Sequence, residues 1–200
     1  MEELKERMPS IRLVIGGHAR HGKDEVCEML NKLTGWKFQS SSQIAADEGI
    51  FDDLIAEEML YDVYGMSSYE TGRSNLLLNK NLYRSEMFDA IQEYNTPDKT
   101  RLMKTVFEES SMYCGIRCRE EFLAAKHAGI FDLSIWVDGS ERVKAEHESS
   151  ITVLRGDFDI ILDNNGTIHE LFDRIYRLVP FLIYADSGKQ NSIGYAVTKH

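Results

Sequence analysis

The stretch GGHARHGKDEV, residues 16–26, follows directly on the apolar run Ile11–Ile15. Its spacing is nearly Gly-x-x-x-x-Gly-Lys-Ser/Thr. In that pattern, backbone N–H groups between the glycines wrap a polyphosphate and the lysine reaches the β- and γ-phosphates. Gly17, His18, Ala19, Arg20, His21, Gly22 and Lys23 are the residues that would do so here. The helix that follows would aim its N-terminus at the same anion. A glycine-rich turn with a solvated lysine is the competing account. Against it stands the order of apolar strand, glycine loop and amphipathic helix, which phosphate binding requires.

The Ser/Thr slot holds Asp24, and Glu25 follows it. A hydroxyl in that slot binds Mg²⁺, whereas a carboxylate beside phosphates repels them unless it faces the metal or a water on it. Mg²⁺ is a hard ion that accepts carboxylates and keeps waters. Asp24 is therefore a candidate metal residue, or else a first-turn acid stabilised by the helix dipole. His18, Arg20 and His21 add donors over the phosphates, although two solvated histidines would look the same.

The elements that must hold this loop follow from periodicity. Ile11–Ile15 suits a buried parallel strand. Val26, Met29, Leu30 and Leu33 line one face of a helix that Gly35 ends. Trp36–Gln39 is a weak second strand. Residues 43–110 read almost wholly helical, with Phe51–Val63, then Met87, Phe88, Ile91 and Tyr94, and a helix starting at Thr96-Pro97. Within them YGMSSYETGRSN, 64–75, is a candidate mobile loop. Ser111–Cys114, Leu133–Val137 and Phe158–Leu162 are further strands, and Arg119–His127 is a helix. Thr167 and Glu170 form a capping box for a last helix carrying Leu171, Ile175, Leu178 and Leu182. From Ser187 the chain reads as a loose polar tail. The expectation is one α/β domain over 1–200: a five-stranded parallel sheet, a helical insertion at 43–110, a lid loop at 139–156 and a tail at 187–200. Ligands bind such sheets at the carboxyl ends of the strands, where the glycine loop lies.

Composition narrows the partners. The 200 residues are 42% hydrophobic with three prolines, an ordered globular composition, and the net charge is −10. That charge argues against duplex nucleic acid and anionic membrane surfaces. The charged start, MEELKERMPS, lacks an apolar signal core and no stretch is long enough to span a bilayer, so a cytoplasmic location is expected. Cys27, Cys114 and Cys118 are odd in number and fit buried free thiols in a reducing compartment.

Gly-Lys-Asp in this setting resembles the deoxynucleoside monophosphate kinases of tailed phages, a branch of the P-loop nucleoside monophosphate kinases. The resemblance continues in FQSSS (38–42), YNTPDKTRL (94–102), YCGIRCREEFLAA (113–125), SIWVD (134–138) and IILDNNGTIHEL (160–171). It thus runs through nearly the whole chain in order. That branch commonly uses Gly-Lys-Asp-Thr; this chain has Gly-Lys-Asp-Glu, with no hydroxyl at either place. The resemblance implies a three-layer P-loop kinase fold, ATP and Mg²⁺ as cofactors, and a deoxynucleoside monophosphate as acceptor. It also implies a monophosphate-binding role for the insertion and, for a phage-encoded chain, the host cytoplasm. In similar kinases the loop after the last strand borders the ATP base, which here means Asn164, Asn165 and Gly166.

Phosphoryl transfer between two nucleotides needs cations that neutralise and align two anions, and little covalent chemistry. Lys23, Arg84, Arg117, Arg119 and Arg142 are the candidates. Arg117 follows the third predicted strand and would face the acceptor phosphate, with Arg84 and Arg119 beside it. Arg142 lies in the lid stretch GSERVKAEHESS and would close onto the transferring group. A surface ion pair is the alternative for each arginine. Ser40, Ser41 and Ser42 would bind the monophosphate, or merely cap a helix. Two other accounts remain open: another P-loop small-molecule kinase, for dephospho-coenzyme A or a modified nucleotide, and a non-catalytic nucleotide-binding regulator. The helical insertion also offers a surface for a homodimer.

Overall fold

The computed structural model describes residues 10–60, 68–147 and 150–197. Among them five strands form one parallel sheet: β1 (Leu13–Gly16), β2 (Phe38–Ser40), β3 (Met112–Ile116), β4 (Leu133–Asp138) and β5 (Ile160–Asp163). Their spatial order is β2-β3-β1-β4-β5. Ser40 lies beside Cys114, Gly16 beside Ile116 and Trp136, and Asp138 beside Asp163. The carboxyl ends of the five strands therefore share one edge, and every candidate loop springs from it.

Alternation along β1 sorts the core into two layers, because successive strand side chains point to opposite faces. Leu13 and Ile15 pack with Val26 and Leu30 of α1 (Lys23–Thr34) and with Leu171, Ile175 and Leu182 of α8 (Ile168–Val197). Val14 faces the other layer with Leu102, Val106, Phe122 and Trp136. That layer holds α2 (Ser41–Asp47), α3 (Asp52–Leu60), α4 (Tyr69–Leu78), α5 (Arg84–Tyr94), α6 (Arg101–Glu109) and α7 (Arg119–His127). The first five of these separate β2 from β3, within the helical stretch expected there. Helix, sheet, helix is the three-layer α/β architecture expected of a P-loop kinase.

Gly35 ends α1 in the left-handed conformation and donates to Asn31 O. The capping box holds too: Thr167 N–H donates to Glu170 Oε2 at 2.6 Å, and Glu170 N–H returns to Thr167 Oγ1 at 3.3 Å. Three expectations fail. The helix expected from Thr96-Pro97 begins at Arg101, because Asp98 accepts both the N–H and the hydroxyl of Thr100 and holds the preceding residues in a turn. The tail expected to be loose from Ser187 is instead helical through Val197. Ser187 Oγ bonds back to Ile183 O and carries the helix past the turn, so Gly188 and Gly194 do not end it. Of the candidate mobile loop at 64–75, residues 64–67 lie outside the described residues; Ser68 caps α4, which takes up the rest.

One buried carboxylate ties α8 to the start of the sheet. Asp186 Oδ1 accepts the N–H of Ser10 at 2.7 Å and of Ile11 at 2.8 Å, and the Ser10 hydroxyl at 2.9 Å. Asp186→Ala strands a buried donor and should cost about 1–3 kcal/mol. Urea unfolding of the two proteins checks this; an unchanged midpoint would show that water replaces the carboxylate.

Candidate active site

The glycine loop is built by close approach. Gly17 has φ +141°, and a Cβ there would sit 2.6 Å from Val137 O, so the loop can leave β1 against β4 only through a glycine. Arg20 takes a left-handed φ of 60°, a conformation costing a non-glycine residue about 1–3 kcal/mol and found where function holds it. Gly22, at φ 91°, then starts α1 with no side-chain cap. The first-turn N–H groups are left facing the loop, a ready anion site. Lys23 Nζ folds back onto His18 O at 2.7 Å. Burial, aided by nearby Arg117, lowers its pKa to about 8 against the opposing pull of neighbouring acids.

Between the loop, α5 and the ends of β2 and β3 lies a cavity of about 210 Å³. Ser40, Ser41, Ser42 and Cys114 line its floor, and Leu78, Met87, Phe88 and Ile91 make one apolar wall. Among the described residues its charged lining is Arg20, Lys23, Lys80, Arg84 and Arg117 against the single carboxylate Asp24. A chain of net charge −10 has thus gathered cations at one hollow. Ser41 Oγ donates to Gly115 O at 3.1 Å, and Ser40 and Ser42 share a hydroxyl contact at 3.0 Å. Asp24 is exposed, and its Oδ1 accepts the Cys114 thiol at 3.3 Å. Among the described residues no group of three or more His, Cys, Asp and Glu side chains could hold a metal. Mg²⁺ would fit here only with Asp24 supplying one ligand and the nucleotide and waters the rest, as that ion commonly accepts.

Residues 139–147 fold over the loop. His21 is buried; its Nδ1 accepts Gly139 N–H at 3.0 Å, so Nε2 carries the proton and donates to Val143 O at 3.0 Å. His21 is therefore a clasp between loop and lid, not the solvated side chain the sequence suggested. His18 stacks edge-on against Trp136, and burial and nearby His21 lower its pKa. Its Nδ1 accepts Glu146 N–H at 3.3 Å.

The Glu146 side chain reaches into the loop. Oε2 takes the Ala19 N–H, and Oε1 pairs with Arg117 at 3.0 Å and Arg84 at 3.3 Å. Burial raises this carboxyl, but the two arginines outweigh it and hold the acid below its usual range. Nothing in the sequence singled out Glu146, because it sits in a polar stretch without period. The apolar wall on α4 and α5 was visible only as helix periodicity.

The structure brings Lys23, Arg84, Arg117 and Ser40–Ser42 together and leaves two of the candidate arginines out. Arg119 is held by Asp157 at 2.8–3.1 Å on the surface, outside the cavity. Being two residues past Arg117, it has already turned into α7. Arg142 donates from Nε to Asn164 O at 2.5 Å and does not line the cavity. Its position on the lid's first turn sets it beside the loop after β5. There Asn164 is buried and donates to His21 O at 2.8 Å, Asn165 Oδ1 accepts Glu141 N–H at 2.9 Å, and Gly166 packs against Glu170. Glu25 is exposed and does not line the cavity.

No protein-family model and no curated protein matches the chain. Among solved structures it is similar to a sugar kinase from a Janibacter species, at 16% identity over 90% of this chain and 98% of that one, with TM-score 0.43. It is also similar to the protein TT1252 of Thermus thermophilus, at 18% identity, 86% and 97% coverage and TM-score 0.48. The third is shikimate kinase from Aquifex aeolicus, at 14% identity, 83% and 94% coverage and TM-score 0.41. Likenesses this distant say nothing of substrate or mechanism.

Proposed function

We propose that the chain is an ATP-dependent small-molecule kinase whose acceptor carries a phosphate, a deoxynucleoside 5′-monophosphate giving the diphosphate. The observation that carries this is the convergence of Arg84 and Arg117 on one carboxylate beside an apolar wall. Two guanidiniums suit a phosphate, and Leu78, Met87, Phe88 and Ile91 suit the flat face of a base. The loop N–H groups and Lys23 would hold the donor phosphates, and the Ser40–Ser42 hydroxyls would help seat the acceptor. Arg142, bonded to Asn164 O, fits a place against the nucleotide base better than one on the transferring group. Asp24 would hold Mg²⁺, which when bound supplies further charge neutralisation. No side chain need act as nucleophile: the protein's part is alignment and electrostatic stabilisation.

One observation favours a second acceptor class. Asp24 is the one carboxylate lining the cavity among the described residues, and with an alcohol acceptor it could serve as general base. ADP release with Mg²⁺ and ATP, over deoxynucleoside monophosphates and over gluconate, shikimate and dephospho-coenzyme A, separates the two. Turnover confined to the monophosphates is expected. Turnover of an alcohol alone would move the function to that class, and ATP binding without turnover would favour a regulator.

Two variants test the loop. Protonated Lys23 is the form that binds phosphate, and its unliganded pKa is lowered to about 8. Below that pH the charge is already present; above it a proton must be taken up on binding. ATP affinity should therefore fall as pH rises through about 8. Lys23→Ala should remove that inflection and lose about 100-fold in turnover; a variant keeping a tenth of the rate would exclude the role. Asp24→Asn should lower the rate and raise the Mg²⁺ concentration needed for half-maximal activity at saturating ATP, and should bind metal-free ATP at least as well as wild type. An unchanged Mg²⁺ titration would leave Asp24 a helix-start acid only.

A further inference from the structure

A carboxylate with two oxygens in an anion site is the observation that goes furthest beyond this function. Glu146 Oε2 accepts the Ala19 N–H of the glycine loop, while Oε1 is shared by Arg117 and Arg84. Ala19 belongs to the loop that would carry the donor nucleotide, and the arginines line the cavity that would take the acceptor. The carboxylate thus bridges the two halves of the site, where a phosphoryl group passing between them would lie. The backbone is committed to this pose as well. Glu146 N–H donates to His18 Nδ1, and Val143 and Gly139 are clasped by His21. The side chain of Glu146 is only 10% exposed.

We propose that Glu146 is an internal stand-in for the transferring phosphoryl group, a lid carboxylate that occupies the anion site until nucleotide displaces it. This rests on the phosphotransfer function proposed above and adds to it a self-competing lid. With no anion between them, Arg84 and Arg117, both within 3.3 Å of one carboxylate oxygen, would repel each other. Glu146 relieves the repulsion and keeps both guanidiniums aimed at one point. An incoming phosphate with the same acceptor geometry must break these contacts, so the apparent affinity for polyphosphate is reduced by the fraction of molecules in which Glu146 has left.

Direction separates this role from a merely structural one. A carboxylate that only pins the lid would, when neutralised, loosen the site and weaken binding. A competitor, when neutralised, should strengthen it. Calorimetric titration of ATP and of inorganic tripolyphosphate into wild type and Glu146→Gln, both without Mg²⁺, reads that sign. The variant should bind both about tenfold more tightly, within the range of site-to-site couplings. Glu146→Ala should shift affinity the same way and serves if the Gln variant does not fold. Equal or weaker binding by the variants overturns the stand-in role while leaving the nucleotide site intact. Absence of binding by every protein, wild type included, would sink the nucleotide site and the stand-in with it.

Discussion

Cations crowded at the end of a parallel sheet must be neutralised, and that requirement organises this molecule. Lys23, Arg84 and Arg117 are brought to one hollow by three different elements, as the first residue of α1, the first residue of α5 and the residue after β3. Each was drawn from water at an electrostatic cost that grows as the local dielectric falls. The molecule answers with a carboxylate from the lid and with backbone carbonyls. Glu146 meets both arginines, His18 O takes Lys23, and Ser150 O takes Arg117 at 2.9 Å. Loop, cavity and lid are parts of one neutralisation network.

Much of the lid belongs to this network. His21 links the loop to Gly139 and Val143, Asn164 links it to the segment after β5, and Arg142 and Glu141 return to Asn164 and Asn165. Most of these are neutral backbone contacts, each contributing modestly to net stability. The charged contact at Glu146 is of another kind, because it couples lid position to whether an anion is present.

The cavity's chemistry is uneven in a useful way. Cations and loop N–H groups stand on one side and an apolar wall on the other. Such a hollow suits a ligand with a charged end and a flat or greasy end, and it is poor at proton transfer: among the described residues both carboxylates at this site are engaged, Asp24 by the Cys114 thiol and Glu146 by two arginines. The arrangement favours chemistry by alignment and charge stabilisation over acid–base work.

Much of the frame was legible in residue order alone. Ile11–Ile15 before a glycine loop, and the face Val26, Met29, Leu30 and Leu33 after it, lead to β1 and α1 because periodicity and glycine chemistry are local properties. The Thr167–Glu170 box and the Gly35 stop are local in the same sense. The helix signal at Thr96-Pro97 loses to Asp98, which holds the Thr100 N–H in a turn, and the polar tail continues α8 because polarity does not bar a helix. The sequence by itself determined the loop, its lysine and the parallel sheet that presents them. Only the tertiary structure decided which charges meet. Arg117 and Arg119 are two residues apart and look equivalent in sequence, yet one ends a strand facing the cavity and the other has turned into a helix and found Asp157. Glu146 and His21 are more than a hundred positions from the partners that define them, Ala19 and Gly139. Pairing at such separation depends on how strands are ordered and loops folded back, which spacing along the chain does not encode.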